Sequence, residues 1–100
     1  MSWVLEFLPE ALADAEEATR FYESRIAGLG ARFRDEIESV CVAIVRHPLL
    51  WRDRSSGYRR VNIPGFPYYI AFIIRSDRIV VTAIGHGSQH PDYWKRRGRP

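Results

Sequence analysis

The periodic segments along this 100-residue chain predict an α+β domain: strand, helix, helix, then three strands, with a helical hairpin packed on a small antiparallel sheet. Three observations carry that expectation. A short alternating segment opens the chain, two helical stripes follow with only AGLG between them, and Tyr58 to Gly85 reads as three strands joined by two tight turns.

The alternating segment is Ser2 to Phe7, with Trp3, Leu5 and Phe7 on one side and Val4 and Glu6 on the other. Pro9 opens the first helix, where its missing N–H costs nothing, and Glu10 and Asp14 place negative charge near the positive end of the dipole. Leu12, Ala15, Thr19, Tyr22 and Ile26 step by three and four and predict the buried stripe, leaving Asp14, Glu17, Arg20 and Glu23 solvated. Gly28 is suited to the left-handed conformation that ends a helix. The second stripe is Leu29, Phe33, Ile37, Val40 and Ile44, and it stops near Arg46, because the residue before Pro48 is pushed out of helical geometry.

His47 to Gly57 reads as a loop whose Leu49, Leu50 and Trp51 are expected to cap the core, the alternative being an exposed partner surface. In the next strand Arg59, Val61 and Ile63 alternate with Tyr58, Arg60 and Asn62. Pro64-Gly65-Phe66-Pro67 makes a turn, Tyr68 to Arg75 the third strand, Ser76-Asp77 a hairpin without its favoured glycine, and Arg78 to Gly85 the fourth strand. The last two strands are nearly continuously apolar, so both of their faces must be covered, at least in part. The remainder, with HPDYWKRR, is a turn or short helix in a basic tail. The first strand pairs with an edge of the meander or inserts beside it.

The length and the 46% hydrophobic content predict one domain over residues 1–100 with one modest core, and exclude a chain disordered by composition. The net charge of +3 is divided unequally: residues 1–50 carry −4 and residues 51–100 carry +7. The basic half fits an anionic partner, nucleic acid or an acidic protein, or a solvated surface. Cys41 is the single cysteine, so an intrachain disulfide is excluded, and its apolar neighbours predict an inert core thiol. No segment approaches the roughly 20 apolar residues of a membrane span, and the first residues lack a signal-peptide layout, so the expected location is cytoplasmic.

The candidate chemistry gathers late in the chain. His86 and His90 have the spacing of metal ligands on a helix, but Gly85, Gly87 and Pro91 argue against a helix there, and no third ligand is evident. As acid–base groups, His86, His90 and Tyr93, with Arg59 and Arg60 to hold a phosphate, would make a phosphodiester-cleaving site. Alternatively His86 caps the sheet while Tyr93 and Trp94 pack on its edge. No phosphate loop, nucleophile setting or carboxylate pair is present, and no cofactor or metal is expected.

Leu29-Gly30 with Arg32-Phe33, the P-x-x-W of Pro48 to Trp51, GFPYYIAF leading into IVVTAIGH, and then HPDYWKRR together resemble the RelE/ParE superfamily over essentially the whole chain. These are toxins of type II toxin–antitoxin modules, often described as plasmid-stabilisation proteins. The resemblance implies the same order of elements and a hetero-oligomer with a cognate antitoxin, which wraps a disordered or helical segment across the toxin. It also implies one of two targets: RelE-like members cut messenger RNA on the ribosome as mRNA interferases, whereas ParE-like members poison DNA gyrase and hydrolyse nothing. Arg60 matches a basic position of the nucleases, but Tyr69 and Gly87 stand where they carry arginines, and Gly87-Ser88-Gln89-His90 replaces an arginine run of ParE-like relatives. The missing nuclease arginines at Tyr69 and Gly87 make a ParE-like gyrase inhibitor the favoured reading, while the lost arginine run counts against it and fits a weakened toxin. A ribosome-dependent endoribonuclease using Arg59, Arg60, His86, His90 and Tyr93, or an inactive antitoxin-binding module, is the alternative.

Overall fold

A computed structural model of the chain describes residues 3–54, 57–89 and 91–97, and in it a helical hairpin lies on one face of a four-stranded sheet. The elements are β1 (Val4–Phe7), α1 (Pro9–Arg25), α2 (Leu29–Arg46), β2 (Arg59–Asn62), β3 (Tyr68–Arg75), β4 (Arg78–His86) and a single 3₁₀ turn at Pro91–Tyr93. The sheet order is β1-β4-β3-β2. The last three strands form the expected antiparallel meander. β1 joins it at the free edge of β4 and runs parallel to it, Val4 opposite Arg78 and Phe7 opposite Val81, so the sheet is mixed. Parallel pairing requires a long crossover, and the helical hairpin is part of it.

The β3–β4 hairpin turns at Ser76, whose φ of 54° is the left-handed conformation that glycine would adopt at less cost. Within the ladder, Ala71 faces Ala83 but Phe72 faces Val81, so Thr82 is an extra residue in β4, a bulge. The bulge resets the alternation. Ile79 and Val81 before it and Ile84 after it face the helices, while Val80 and Ala83 face the other way.

The helix-side core is built from Phe33, Ile37, Val40 and Ile44 of α2, all buried as the stripe predicts, against Ile70, Phe72, Ile79, Val81 and Ile84. At one end Phe33, Tyr22, Phe66 and Tyr68 meet edge-on or tilted, with ring centroids 4.9–6.0 Å apart. The opposite sheet face carries a second cluster in which Tyr58, Tyr69, Ala71, Ile73, Val80 and Ala83 are covered by Trp94, only 1% exposed. Both faces of β3 and β4 are thus covered, as their composition requires.

Three expectations need correction. The stripe of α1 holds at Ala15, Thr19 and Tyr22 but shifts towards Ala11 and Ala18, which are buried, while Leu12 is 48% and Ile26 63% exposed. Alanines let α1 approach β4 closely, and a leucine at position 12 does not fit that approach. Asp14, expected on the solvated face, instead points at the sheet. Its Oδ2 accepts the Ile84 N–H at 3.2 Å and pairs with Arg97 at 2.7 Å, and Arg97 also donates to the Thr82 carbonyl at 3.2 Å. β1 ends opposite Val81, so this ion pair satisfies the stretch of β4 edge that β1 does not reach. Finally, Leu50 is 72% exposed and Leu49 similarly so, and of that loop trio Trp51 alone packs on the core.

The helix junction is closed by an acid from the first helix. Gly28 takes φ 89°, and no side chain caps α2 from its own N-cap position. The Glu23 carboxylate accepts the N–H groups of Gly28 and Gly30, both at 2.9 Å, and these bonds hold its carboxyl below the ordinary range. Burial raises the Cys41 thiol to about 11, with Glu38 adding to the shift, so it stays protonated and unreactive near neutral pH.

The two helix stripes differ in what they contribute. Phe33→Ala empties a fully buried aromatic site and is expected to cost about 3–5 kcal/mol in urea unfolding. Leu12→Ala, on the half-exposed flank of α1, is expected to stay within about 1 kcal/mol. Equal losses would mean that the sequence-predicted stripe of α1 is the buried one after all.

Candidate functional site

Two of the candidate residues, Arg60 and His86, meet where the β2–β3 turn approaches the segment after β4. Strand alternation decides which of them share a surface. Arg59 and Arg60 are neighbours in β2 and so lie on opposite faces. On the helix side, Arg59 Nε donates to the Trp51 carbonyl at 2.9 Å and ties the preceding loop to the sheet. On the other face, the Arg60 guanidinium lies 3.8 Å from the centre of the Tyr69 ring.

Tyr69 is held from every side. Its hydroxyl accepts the Trp94 indole N–H at 2.9 Å, and Trp94 packs edge-on against Tyr58 at 4.8 Å. Across the ladder Tyr69 faces Gly85, where a Cβ would come within 2.5 Å of the Tyr69 ring and hydroxyl. Only a residue without a side chain lets the ring lie across β4. Burial raises the pKa of Tyr69, and the Trp94 and Arg60 contacts pull it back in part.

His86 ends β4 opposite Tyr68, their rings edge-on at 5.0 Å. The Ser88 N–H donates to His86 Nδ1 at 3.0 Å, and the Ser88 hydroxyl lies 2.7 Å from the same nitrogen. A backbone N–H can only donate, so Nδ1 is the unprotonated nitrogen, and the remaining ring nitrogen, Nε2, carries the proton. Gly87 contributes backbone alone, its N–H donating to the Pro67 carbonyl at 2.8 Å. Arg60, Asn62, His86 and Ser88, with the rings of Phe66 and Tyr68, line one open groove. Among the described residues no carboxylate lines it, and every polar side chain there can donate a hydrogen bond.

Tyr93 lies elsewhere, in the turn between β4 and Trp94 and on the α1 side. Its hydroxyl is 3.4 Å from Gln89 Oε1, and Arg97 stands 5.4 Å from its ring. Burial, with Asp14 adding to it, raises its pKa to about 12, so Tyr93 can give a proton at neutral pH but cannot take one. The structure therefore brings Arg60 and His86 to one groove, Arg59 to the opposite face and Tyr93 to another surface. His90 lies outside the described residues. No group of three or more His, Cys, Asp or Glu side chains among the described residues is placed to hold a metal ion.

Sequence reasoning missed Asp14, Arg97 and the Tyr69–Trp94 bond. Asp14 had a signal, since it sits three positions from Ala11 and four from Ala18, inside the stripe that is buried. Arg97 and Trp94 had none, because their partners are 83 and 25 residues away.

Gly85→Ala must push Tyr69 off its bonds, and the expected loss is about 1–3 kcal/mol, with the Trp94 indole N–H resonance moving. An alanine accepted at no cost, with that resonance unmoved, would contradict the packing. Tyr93 sets an alkaline limit. Its ordinary pKa of 10.0 is raised to about 12, so its contribution to stability is intact below pH 10 and is lost as the pH climbs towards 12. A phenolate titration should show that Tyr93→Phe removes the last of the late-titrating tyrosines; all five titrating near pH 10 would refute the assignment.

The family model for the ParE toxin of the parDE type II toxin–antitoxin system matches residues 5–91. Among solved structures, the chromosomal ParDE toxin–antitoxin system of P. aeruginosa aligns with a TM-score of 0.72 and 17% identity, over 85% of this chain and 96% of that one. An arginine-to-alanine double mutant of E. coli toxin RelE in the free state aligns with a TM-score of 0.69 and 15% identity, over 93% and 92%. At such identities these two likenesses speak for the fold. No curated protein matches the chain by sequence. With a family match over most of its length and the same fold in both neighbours, the chain belongs to the ParE toxin family of type II toxin–antitoxin systems.

Proposed function

We propose that the chain is a ParE-like gyrase poison, neutralised by a cognate antitoxin, which acts by binding and not by hydrolysis. The observation that carries this reading is the state of Tyr69. Where nuclease relatives place an arginine, this chain has a ring buried under Arg60 and hydrogen-bonded to Trp94. Cleavage of a phosphodiester needs charge placed on both sides of the developing transition state and a group able to take a proton. Among the described residues Arg60 is the one arginine or lysine lining the groove, and Tyr93 stays protonated on a different surface. Gly87 offers no side chain at the second arginine position. The antitoxin follows from the family, and both proposed targets lie in the cytoplasm. No helix among the described residues is long and apolar enough to cross a membrane.

One observation favours the second reading, a ribosome-dependent mRNA endoribonuclease. Arg60 and His86 share an open groove in which no described residue is a carboxylate, and the neutral His86 ring keeps an Nε2–H able to donate a hydrogen bond to a phosphate oxygen. His90 would have to supply the base.

The two readings separate in one pair of assays on the purified toxin. Inhibition of gyrase supercoiling, with ribosome-bound messenger left whole and with His86→Ala still active, is the expected result. Cleavage of ribosome-bound messenger that Arg60→Ala or His86→Ala abolishes would overturn the gyrase reading. Inactivity in both assays would also overturn it and leave a module that only binds antitoxin.

A further inference from the structure

A second depression, outside the groove of Arg60 and His86, lies between α1 and the segment that follows β4. Its α1 wall comes from Asp14, Glu17 and Phe21, at the spacing that puts side chains on one helix face. Tyr68 of β3, and Gln89 and Tyr93 from the segment after β4, close the other sides. It measures about 240 Å³, room for one long side chain and well short of a drug-sized ligand.

The lining has one chemical character. Three aromatic rings, whose π faces attract cations, line it together with two carboxylates. The carboxylates act on the rings: burial is the first cause of the raised pKa values of Tyr68 and Tyr93, and Asp14 adds to both, with Glu17 acting on Tyr68. Two of the rings already stand beside guanidinium groups of this chain, Arg25 at 4.8 Å from Phe21 and Arg97 at 5.4 Å from Tyr93. Arg97 engages Asp14 from one side and leaves the Asp14 carboxylate committed, so Glu17 is the charge that an incoming cation would meet.

We infer that this cavity receives one guanidinium or ammonium side chain presented by a partner polypeptide, held between the rings of Phe21, Tyr68 and Tyr93 and the carboxylate of Glu17. The site is opposite in sign to the groove of Arg60 and His86, with which it shares Tyr68. An acidic peptide or a nucleic acid meets repulsion here, whereas a basic side chain exchanges water for ring faces and a carboxylate. The inference does not depend on whether the toxin acts on gyrase or on RNA.

The test uses the full chain and two small probes, N-acetyl-arginine amide and its neutral isostere N-acetyl-citrulline amide, followed by NMR. The arginine probe should move the ring resonances of Phe21, Tyr68 and Tyr93 saturably at millimolar concentration, and the citrulline probe should not. Glu17→Gln is expected to weaken binding about fivefold. Phe21→Ala, at a half-exposed position where the fold is not at stake, should weaken it as well. Equal binding of both probes, binding indifferent to both substitutions, or no saturable shift at the three rings would each overturn the assignment.

Discussion

β3 and β4 are apolar on both faces, and that constraint obliges the rest of the chain to supply two covers. The helical hairpin is one. The other is small: Trp94 and Tyr58, with Leu8 at the edge, lie over Tyr69, Ala71, Ile73, Val80 and Ala83. Without the second cover, that face would leave a tyrosine, two alanines and two β-branched residues in water. A large aromatic ring buries 150–250 Å² at one stroke, which is why a single tryptophan in a short turn can do what α1 and α2 do together on the other side. The indole N–H must then find an acceptor, and the Tyr69 hydroxyl provides it.

The Thr82 bulge lets the two covers meet the same strand. Regular alternation would send Ala83 to the helix side and Ile84 away from it. The extra residue gives the bulky side chain to the larger core and the small one to the tight space under Trp94. It also falls just where β1 ends, so the β4 edge there bonds to a carboxylate and a guanidinium instead of a strand. A charged pair in that position is costly to dehydrate but specific in geometry, and each partner has backbone groups to bond besides the other.

Much of this was legible in the amino-acid order. The period-two segment, the α2 stripe, both turns of the meander and the two-sided burial of β3 and β4 are local patterns, and local patterns survive folding. The α1 stripe was partly misread because alanine is a weak signal: Leu12 outweighs Ala11 on any hydropathy count, yet close helix–sheet approach selects the smaller side chain. The candidate site was legible by composition but not by grouping. Arg59 and Arg60 are adjacent in sequence and separated by a sheet, whereas Asp14 and Arg97 are 83 residues apart and in contact. Such pairings arise from topology, and no window along the chain contains them.

The parallel pairing of β1 with β4 has a kinetic side. Glu6 and its cross-strand partner Arg78 are 72 positions apart, so β1 is synthesised long before the strand it pairs with. Loop closure over that distance is slow compared with formation of the helical hairpin and the β3–β4 ladder, both of which join near neighbours. β1 is therefore the strand whose pairing carries the largest loop-closure cost. Until it pairs, the β4 edge at Arg78–Val81 stays open, and Leu5 and Phe7 have nothing to cover. In the folded chain β1 covers the Arg78–Val81 edge of β4, which the meander by itself leaves unpaired.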